Sequence, residues 1–476
     1  MAASTLGLAG CASFNGIHSD KQIAKTSDFA TEQSLASEKG EWPRIDWAGR
    51  FGDPQLSALI EEALANNPSL QQAQARIAAA GALAESKGAP LLPTVDAQAS
   101  VIRNRFSESS IYPPPYGGGW YNDKVALVHV GYELDLWGKN RSALDQALSR
   151  EKAAQASGQE VRLTIAATVA SVYNQLAALY TQQTILTNIV TQRSQLQSIT
   201  KDRVTTGLDP QSERNQSRGT EADARAQLVE NEGQIVLTRQ QLGALLGKGP
   251  DRGLQIATPH LNEFISANLP EQLPLNLLGR RPDIVAARWQ VEAAQSGISV
   301  AKAKFYPDIN LSASYGFDSL LSRNPFTAAS RSINLGPAIS LPLFEGGALR
   351  ANLKGEYATY ELSVANYNQT LNDAFADVAH QIAAIHSIQR QLPIRREAIN
   401  AAESVWQSAQ QRFRIGLVSK LAVLNAETAF LAQQQLMAAL QANSRALQIG
   451  LIKALGGGFD AQQSGLALAA QPSGPE

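Results

Sequence analysis

Between Trp137 and Pro210 the chain contains no proline, and Arg141 to Thr205 reads as one uninterrupted helix. At 1.5 Å per residue those roughly 65 residues would span about 100 Å, more than the diameter of a globular domain. The following piece, Ser212 to Gly247, returns over only about 54 Å by the same rise. The missing half is expected from a shorter helix, Pro54 to Lys87, stacked end to end with it. Leu56, Leu59, Ile60, Ala63 and Leu64 give that shorter helix its 3.6-residue spacing. Asp53-Pro54 starts it and Gly88 with Pro90 ends it.

The pattern occurs twice. Pro68–Pro93 aligns without gaps on Pro282–Pro307 at an offset of 214, with six of 26 positions identical. Arg203–Gly247 aligns on Arg412–Gly456 at an offset of 209, and there the identities cluster at the two ends. A repeat of this kind is read as a duplicated structural unit. The second half brings outgoing and returning helices at Gly346–Phe413 and Ser419–Leu455, with Pro393 expected to kink or interrupt the first of them.

Each half also carries strand signals. Ala126, Val128, Val130, Tyr132 and Leu134 alternate with Leu127, His129, Gly131 and Glu133. Ile309, Leu311, Ala313, Tyr315 and Phe317 alternate with Asn310, Ser312, Ser314 and Gly316, and Ile333, Leu335, Ile339 and Leu341 continue the pattern. Period-two alternation predicts half-buried strands, four in all, as two hairpins. The loop from Glu108 to Asn122 is rich in Tyr, Trp, Pro and Gly, which suits a membrane interface and equally a buried aromatic cluster.

The expected organisation is therefore a signal remnant and lipobox at 1–11, an N-terminal wrap at 12–53, two repeats, and a disordered tail at 459–476. The first repeat, 54–257, holds helices 54–88, 139–206 and 211–247 and strands within about 93–137. The second, 258–458, holds helices 282–305, 346–413 and 419–456 and strands within about 307–344. Gly249–Leu278 lacks periodicity and is read as an equatorial belt.

Composition removes several functions. Lys+Arg number 41 against 42 Asp+Glu, so no basic field exists to recruit nucleic acid. No run of about 18 apolar residues is present, which excludes a spanning helix and leaves a membrane β-barrel open. Aromatics are only 6%, and the helices are rich in Ala, Gln and Ser, so their packing relies on close approach of small side chains. The five histidines are scattered without ligand spacing, His380 and His386 sharing one long helix but six apart on different faces, and no phosphate-binding loop exists, so neither a catalytic set nor a cofactor is expected. The single cysteine, Cys11, follows Leu8-Ala9-Gly10, a lipobox that predicts acylation of its sulfur. None of the ten residues before it is Lys or Arg, so that reading expects a charged leader further upstream.

Four strands cannot close a membrane barrel, because closed barrels start near eight. An open edge cannot face hydrocarbon, where each unpaired backbone group costs several kcal/mol. Hairpins in a membrane would therefore have to be shared between chains. The alternative is a membrane-anchored coiled-coil scaffold without a pore.

The chain resembles the TolC-like outer membrane factors, in particular their acylated OprM/NodT branch. The resemblance rests on Phe51-Gly52-Asp53-Pro54, Glu133-Leu134-Asp135-Leu136-Trp137-Gly138-Lys139, Arg280-Arg281-Pro282-Asp283, Phe305-Tyr306-Pro307, Pro342-Leu343-Phe344-Glu345-Gly346-Gly347 and Arg412-Phe413-Arg414-Ile415-Gly416-Leu417, in that order between about residues 42 and 458. It implies a mainly α fold with membrane β structure: a homotrimer with a shared 12-stranded barrel continuous with a long helical barrel. It further implies a passive exit duct for drugs or metabolites, docked to a periplasmic adaptor and an inner-membrane pump. Arg203, Gly207, Leu208 and Arg412, Gly416, Leu417 then belong to adaptor-docking tips, and Phe413, Arg414 and Asn425 to a periplasmic gate. Relatives carry Tyr and Asp where this chain has Phe413 and Asn425.

Overall fold

A computed structural model of the chain describes residues 13–35, 40–109, 111, 114–262, 270, 273–321 and 323–468. Cys11, Tyr112 and Pro113 lie outside them. In chain order the main elements are α1 (Pro54–Asn66), α2 (Pro68–Gly88), β1 (Thr94–Arg105), β2 (Trp120–Leu134), α3 (Lys139–Thr205), α4 (Gln211–Leu245) and α5 (Pro250–Leu254). Then follow α6 (Leu273–Arg280), α7 (Pro282–Ala303), β3 (Asp308–Ser319), β4 (Arg331–Ser340), α8 (Ala348–Arg414) and α9 (Lys420–Ala454). None of these helices is long and apolar enough to cross a membrane.

Helix α1 begins where the Asp53 carboxylate accepts the Gln55 N–H at 3.0 Å, and Pro54 fills a position that needs no donor. Leu56, Leu59, Ile60 and Ala63 form its buried stripe. The single helix expected over 54–88 is two helices. The ring of Pro68 bars α geometry from the residue before it, and Asn67 sits extended at ψ 125°. The Asn67 side chain caps the start of α2 by accepting from Ser69 N at 2.9 Å, and it ties the break to the end of α4 by donating to the Leu245 carbonyl at 2.8 Å. Helices α3 and α8 are each 67 residues long, and α8 passes through Pro393 without interruption. The return helices α4 and α9 are each 35 residues.

The chain forms two compact units, each drawing on both halves of the sequence: residues 1–23, 76–154 and 286–368, and residues 24–75, 155–285 and 369–476. The first unit contains the sheet, with strand order β1-β2-β3-β4, antiparallel throughout. Val128 lies opposite Ala97 on one side and Tyr315 on the other. A smaller cluster in this unit, Ile17, Ile298, Ala301, Phe305 and Leu353, is covered by Phe14, whose ring meets that of Phe305 edge-on at 5.6 Å.

The second unit holds the main core. Phe51, Leu56, Tyr173, Leu176, Leu242 and Leu246 are sealed from solvent, each burial stabilising by roughly 1.5–3 kcal/mol. Residues 459–468 correct the expectation of a loose tail. Phe459, Ala461 and Leu466 are buried, and the Ala461 N–H donates to Gly279 O at 2.9 Å. Three apolar side chains after the glycine run give this segment a face to bury, which its Gly-rich start concealed.

Candidate functional site

The sheet has two chemically distinct faces. Register places Val95, Ala97 and Ala99 of β1, Ala126, Val128 and Val130 of β2, Leu311, Ala313 and Tyr315 of β3, and Ile333, Leu335 and Ile339 of β4 on one face. The other carries Asp96, Gln98 and Ser100, then His129, then Ser312 and Ser314, then Ser332 and Asn334. The apolar face is bare: Val95 is 68% exposed, Ile333 68% and Leu335 85%. A soluble protein rarely leaves so continuous an apolar surface uncovered. The outer strands β1 and β4 each pair on one side only, so two rows of backbone donors and acceptors stand open among the described residues.

At the end of β2 the Glu-Leu-Asp-Leu-Trp-Gly-Lys stretch resolves into separate jobs. The Asp135 carboxylate accepts from Asn140 N at 3.0 Å and Arg141 N at 2.8 Å, satisfying the first amides of α3. Gly138 turns the chain at φ 71°. Lys139 bridges Glu133 at 2.6 Å and Asp308 at 2.8 Å, which ties the two hairpins together. Trp137 stacks on Tyr306 at 4.7 Å and donates its indole N–H to Pro307 O at 2.8 Å. Leu136, Leu343 and Phe344 stay exposed near this rim. Trp120, also exposed, begins the loop-side end of β2, with the Arg103 guanidinium 5.6 Å from its ring.

The two helix-to-helix turns share one backbone. After α3, Gly207 takes φ 75°, its N–H reaches Val204 O at 3.1 Å, and Leu208 N reaches Arg203 O at 2.8 Å. After α8, Gly416 takes φ 76°, its N–H reaches Phe413 O at 3.0 Å, and Leu417 N reaches Arg412 O at 2.8 Å. Both are Schellman ends, for which a left-handed glycine is the favoured residue. Leu208 and Leu417 point outward, 66% and 65% exposed. The Arg203 guanidinium grips Asp209 with two bonds, 2.7 and 2.8 Å. That hydrogen bonding raises the Arg203 pKa and lowers the Asp209 carboxyl pKa. Sequence reasoning misses Asp209, although it follows the tip leucine directly.

Of the three residues expected at a gate, Phe413 is partly exposed, with its ring centroid 5.9 Å from the Lys420 ammonium. Arg414 and Asn425 are both exposed, and no hydrogen bond joins them within the chain. A network with no sequence signal lies deeper: Tyr173 donates to Asp53 at 2.6 Å, His260 N–H donates to the same carboxylate oxygen at 2.8 Å, and the Gln55 side-chain amide donates to the Tyr173 oxygen at 2.6 Å. Burial alone would raise the Asp53 pKa. The Tyr173 hydroxyl and the His260 and Gln55 amides outweigh it and hold the carboxyl below its ordinary value.

The family model described as "Outer membrane efflux protein" matches residues 59–248 and 273–457. The chain belongs to the outer membrane efflux protein family. Its similarity to the multidrug resistance outer membrane protein MdtP of Escherichia coli K12 is 30% identity, covering 96% of this chain and 95% of that protein. It is 36% identical to the fusaric acid resistance protein FusA of Burkholderia cepacia, over 73% of this chain and 66% of that one. Among solved structures, the outer membrane protein VceC of Vibrio cholerae matches at TM-score 0.80 with 35% identity, covering 88% of this chain and all of that one. The outer-membrane channel OprN matches at TM-score 0.81 with 25% identity, covering 92% of this chain and 97% of that one. As an outer membrane efflux protein, the chain is an exit channel located in the outer membrane.

Proposed function

We propose that three copies close their four-stranded sheets into one 12-stranded barrel, continuous with a tunnel of long helices, through which drugs or metabolites leave passively. The observation that carries this reading is the sheet itself: one face apolar and exposed, the other largely polar, with the far edges of β1 and β4 unpaired among the described residues. In hydrocarbon those two edges must find each other across copies. Each copy arose by duplication. The 67-residue and 35-residue helices recur in both halves, and so do contacts at the repeat offsets. Asn67 donates to Leu245 O and Arg281 to Ala454 O, while a Cβ added at Gly247 would strike Asn66 O and one added at Gly456 would strike Arg280 O.

The channel works with a periplasmic adaptor and an inner-membrane pump, which selects the cargo. The Arg203–Leu208 and Arg412–Leu417 turns are the adaptor-docking tips, and acylated Cys11 anchors the chain to the membrane. Phe413, Arg414 and Asn425 form the periplasmic constriction, closed by packing of Phe413 and neutral hydrogen bonds and weakly dependent on salt.

The barrel is tested by joining its edges. With one cysteine at Ser100 in β1 and a second scanned along Ser332–Ser340 of β4, oxidation in membranes should yield a covalent trimer at one register and its neighbours. Only monomers at every register would refute the shared barrel.

A further inference from the structure

We infer that Arg412 receives, from an acidic side chain of the docked periplasmic partner, the carboxylate that Arg203 receives from Asp209 within its own turn. This deepens the docking reading above and rests on it. The two tips have the same backbone, and position 209 of the first corresponds to position 418 of the second. Position 418 holds Val. The first turn therefore shows what an arginine at this place binds: a carboxylate gripped through Nε and Nη2 at 2.7 and 2.8 Å. The second turn presents the same arginine without the acid, and neither Arg412 nor Arg414 has an acidic partner among the described residues.

The surrounding charge follows the same division. From 201 to 214, Lys201, Arg203 and Arg214 are balanced by Asp202, Asp209 and Glu213. The matching window, 410 to 423, contains Arg412, Arg414 and Lys420 and no acid; the next acid along α9 is Glu427. Ile415 and Leu417, 70% and 65% exposed, flank the cations. The first tip is thus internally neutralised and offers its partner an apolar contact at Leu208. The second offers an apolar contact and an unmet demand for a carboxylate. Charge complementarity of this kind fixes which surface docks where, and in which register. A bidentate guanidinium–carboxylate pair adds direction that a point charge lacks. In the proposed trimer the demand recurs three times around the tip.

The test supplies the acid in cis. Val418→Asp should draw Arg412 into the internal pair already built at Arg203–Asp209, in a backbone that demonstrably accepts Asp. Val418→Asn is the neutral control of the same shape. A photocrosslinking residue placed at Leu208 or Leu417 in pump-expressing cells reports each tip separately, with crosslinked peptides identified by mass spectrometry. Crosslinking from 417 should fall about tenfold in Val418→Asp, the scale of one lost charge-assisted pair. It should stay near wild type in Val418→Asn, with crosslinking from 208 and trimer yield unchanged in both. Arg412→Ala should reproduce the loss, and Val418→Asp added to it should change nothing further. Wild-type crosslinking in Val418→Asp would overturn the inference, and so would equal losses in the Asp and Asn variants. It would also fall if the 417 crosslink lands on phospholipid, or on a peptide with no Asp or Glu within about three residues. Absence of any protein crosslink from both 208 and 417 would remove the docking reading itself.

Discussion

Phe51, Leu56, Tyr173 and Leu176 are sealed from water by other parts of the same chain, whereas Val95, Tyr315, Ile333 and Leu335 stand 52–85% exposed on one face of a sheet. The side chains are of similar character, and the difference lies in what covers them. In the helical cluster, covering is a property of one sequence: residues more than a hundred positions apart converge and exclude solvent. On the sheet, the sequence specifies only the alternation, and in the proposed barrel the covering is left to hydrocarbon and to neighbouring copies. A defect in the first region should therefore register as lost stability of the chain, and a defect in the second as lost residence in the membrane with the chain intact.

The largest effect expected of that division is at Val128, in an inner strand that is paired on both sides. Val128→Pro removes a ladder donor and strains the strand. Membrane fractions should lose the inserted oligomer altogether, while far-ultraviolet circular dichroism of the purified chain keeps its helical signal. A parallel collapse of helix content would erase the distinction between the two regions. Leu335→Arg should act on the membrane side alone, by about 2–4 kcal/mol per copy for a cation facing mid-bilayer. Its signature is an oligomer that dissociates at lower temperature in detergent, with helix unfolding in urea unchanged.

Tyr173→Phe works the core instead and is smaller, about 1–3 kcal/mol at neutral pH, since it strips Asp53 of a donor without opening a cavity. The lowered pKa of Asp53 sets the pH dependence. A depressed carboxylate contributes stability that is present above its unfolded pKa and disappears as pH falls through its folded one. The gap between wild type and Tyr173→Phe should accordingly narrow on acidification below the usual carboxylate range. Urea midpoints at neutral and acid pH measure it, and a constant gap would mean that Tyr173 acts through packing rather than through Asp53.

Much of the fold was legible because its signals are local. Absence of proline predicts a long helix wherever the pattern is helical, and both 67-residue helices lie within a few residues of the expected bounds. Strand alternation is equally local, and the residues it groups together are those that line the bare face. The break at Asn67 was also written in the sequence, in Pro68, but the apolar spacing of α1 overrode it. The Asp53–Tyr173–His260 network was not legible, since its members are 120 and 207 positions apart and each looks ordinary alone. At the tips the turns could be read from Arg and Gly spacing. The pairing of Arg203 with Asp209 needed coordinates, because an aspartate beside a helix turn has many possible partners.

The open edges of β1 and β4 have a genetic consequence. In the proposed ring of three copies there is no room for a silent defective member, since each copy must offer both edges to its neighbours. One copy that folds its helices but cannot present a sound edge would occupy a place in the ring and disable two healthy partners with it. In a cell making equal amounts of intact and edge-damaged chains, random assembly leaves only about one ring in eight wholly intact. Such alleles would behave as dominant, while alleles that destroy the helical core and never reach the ring would be recessive.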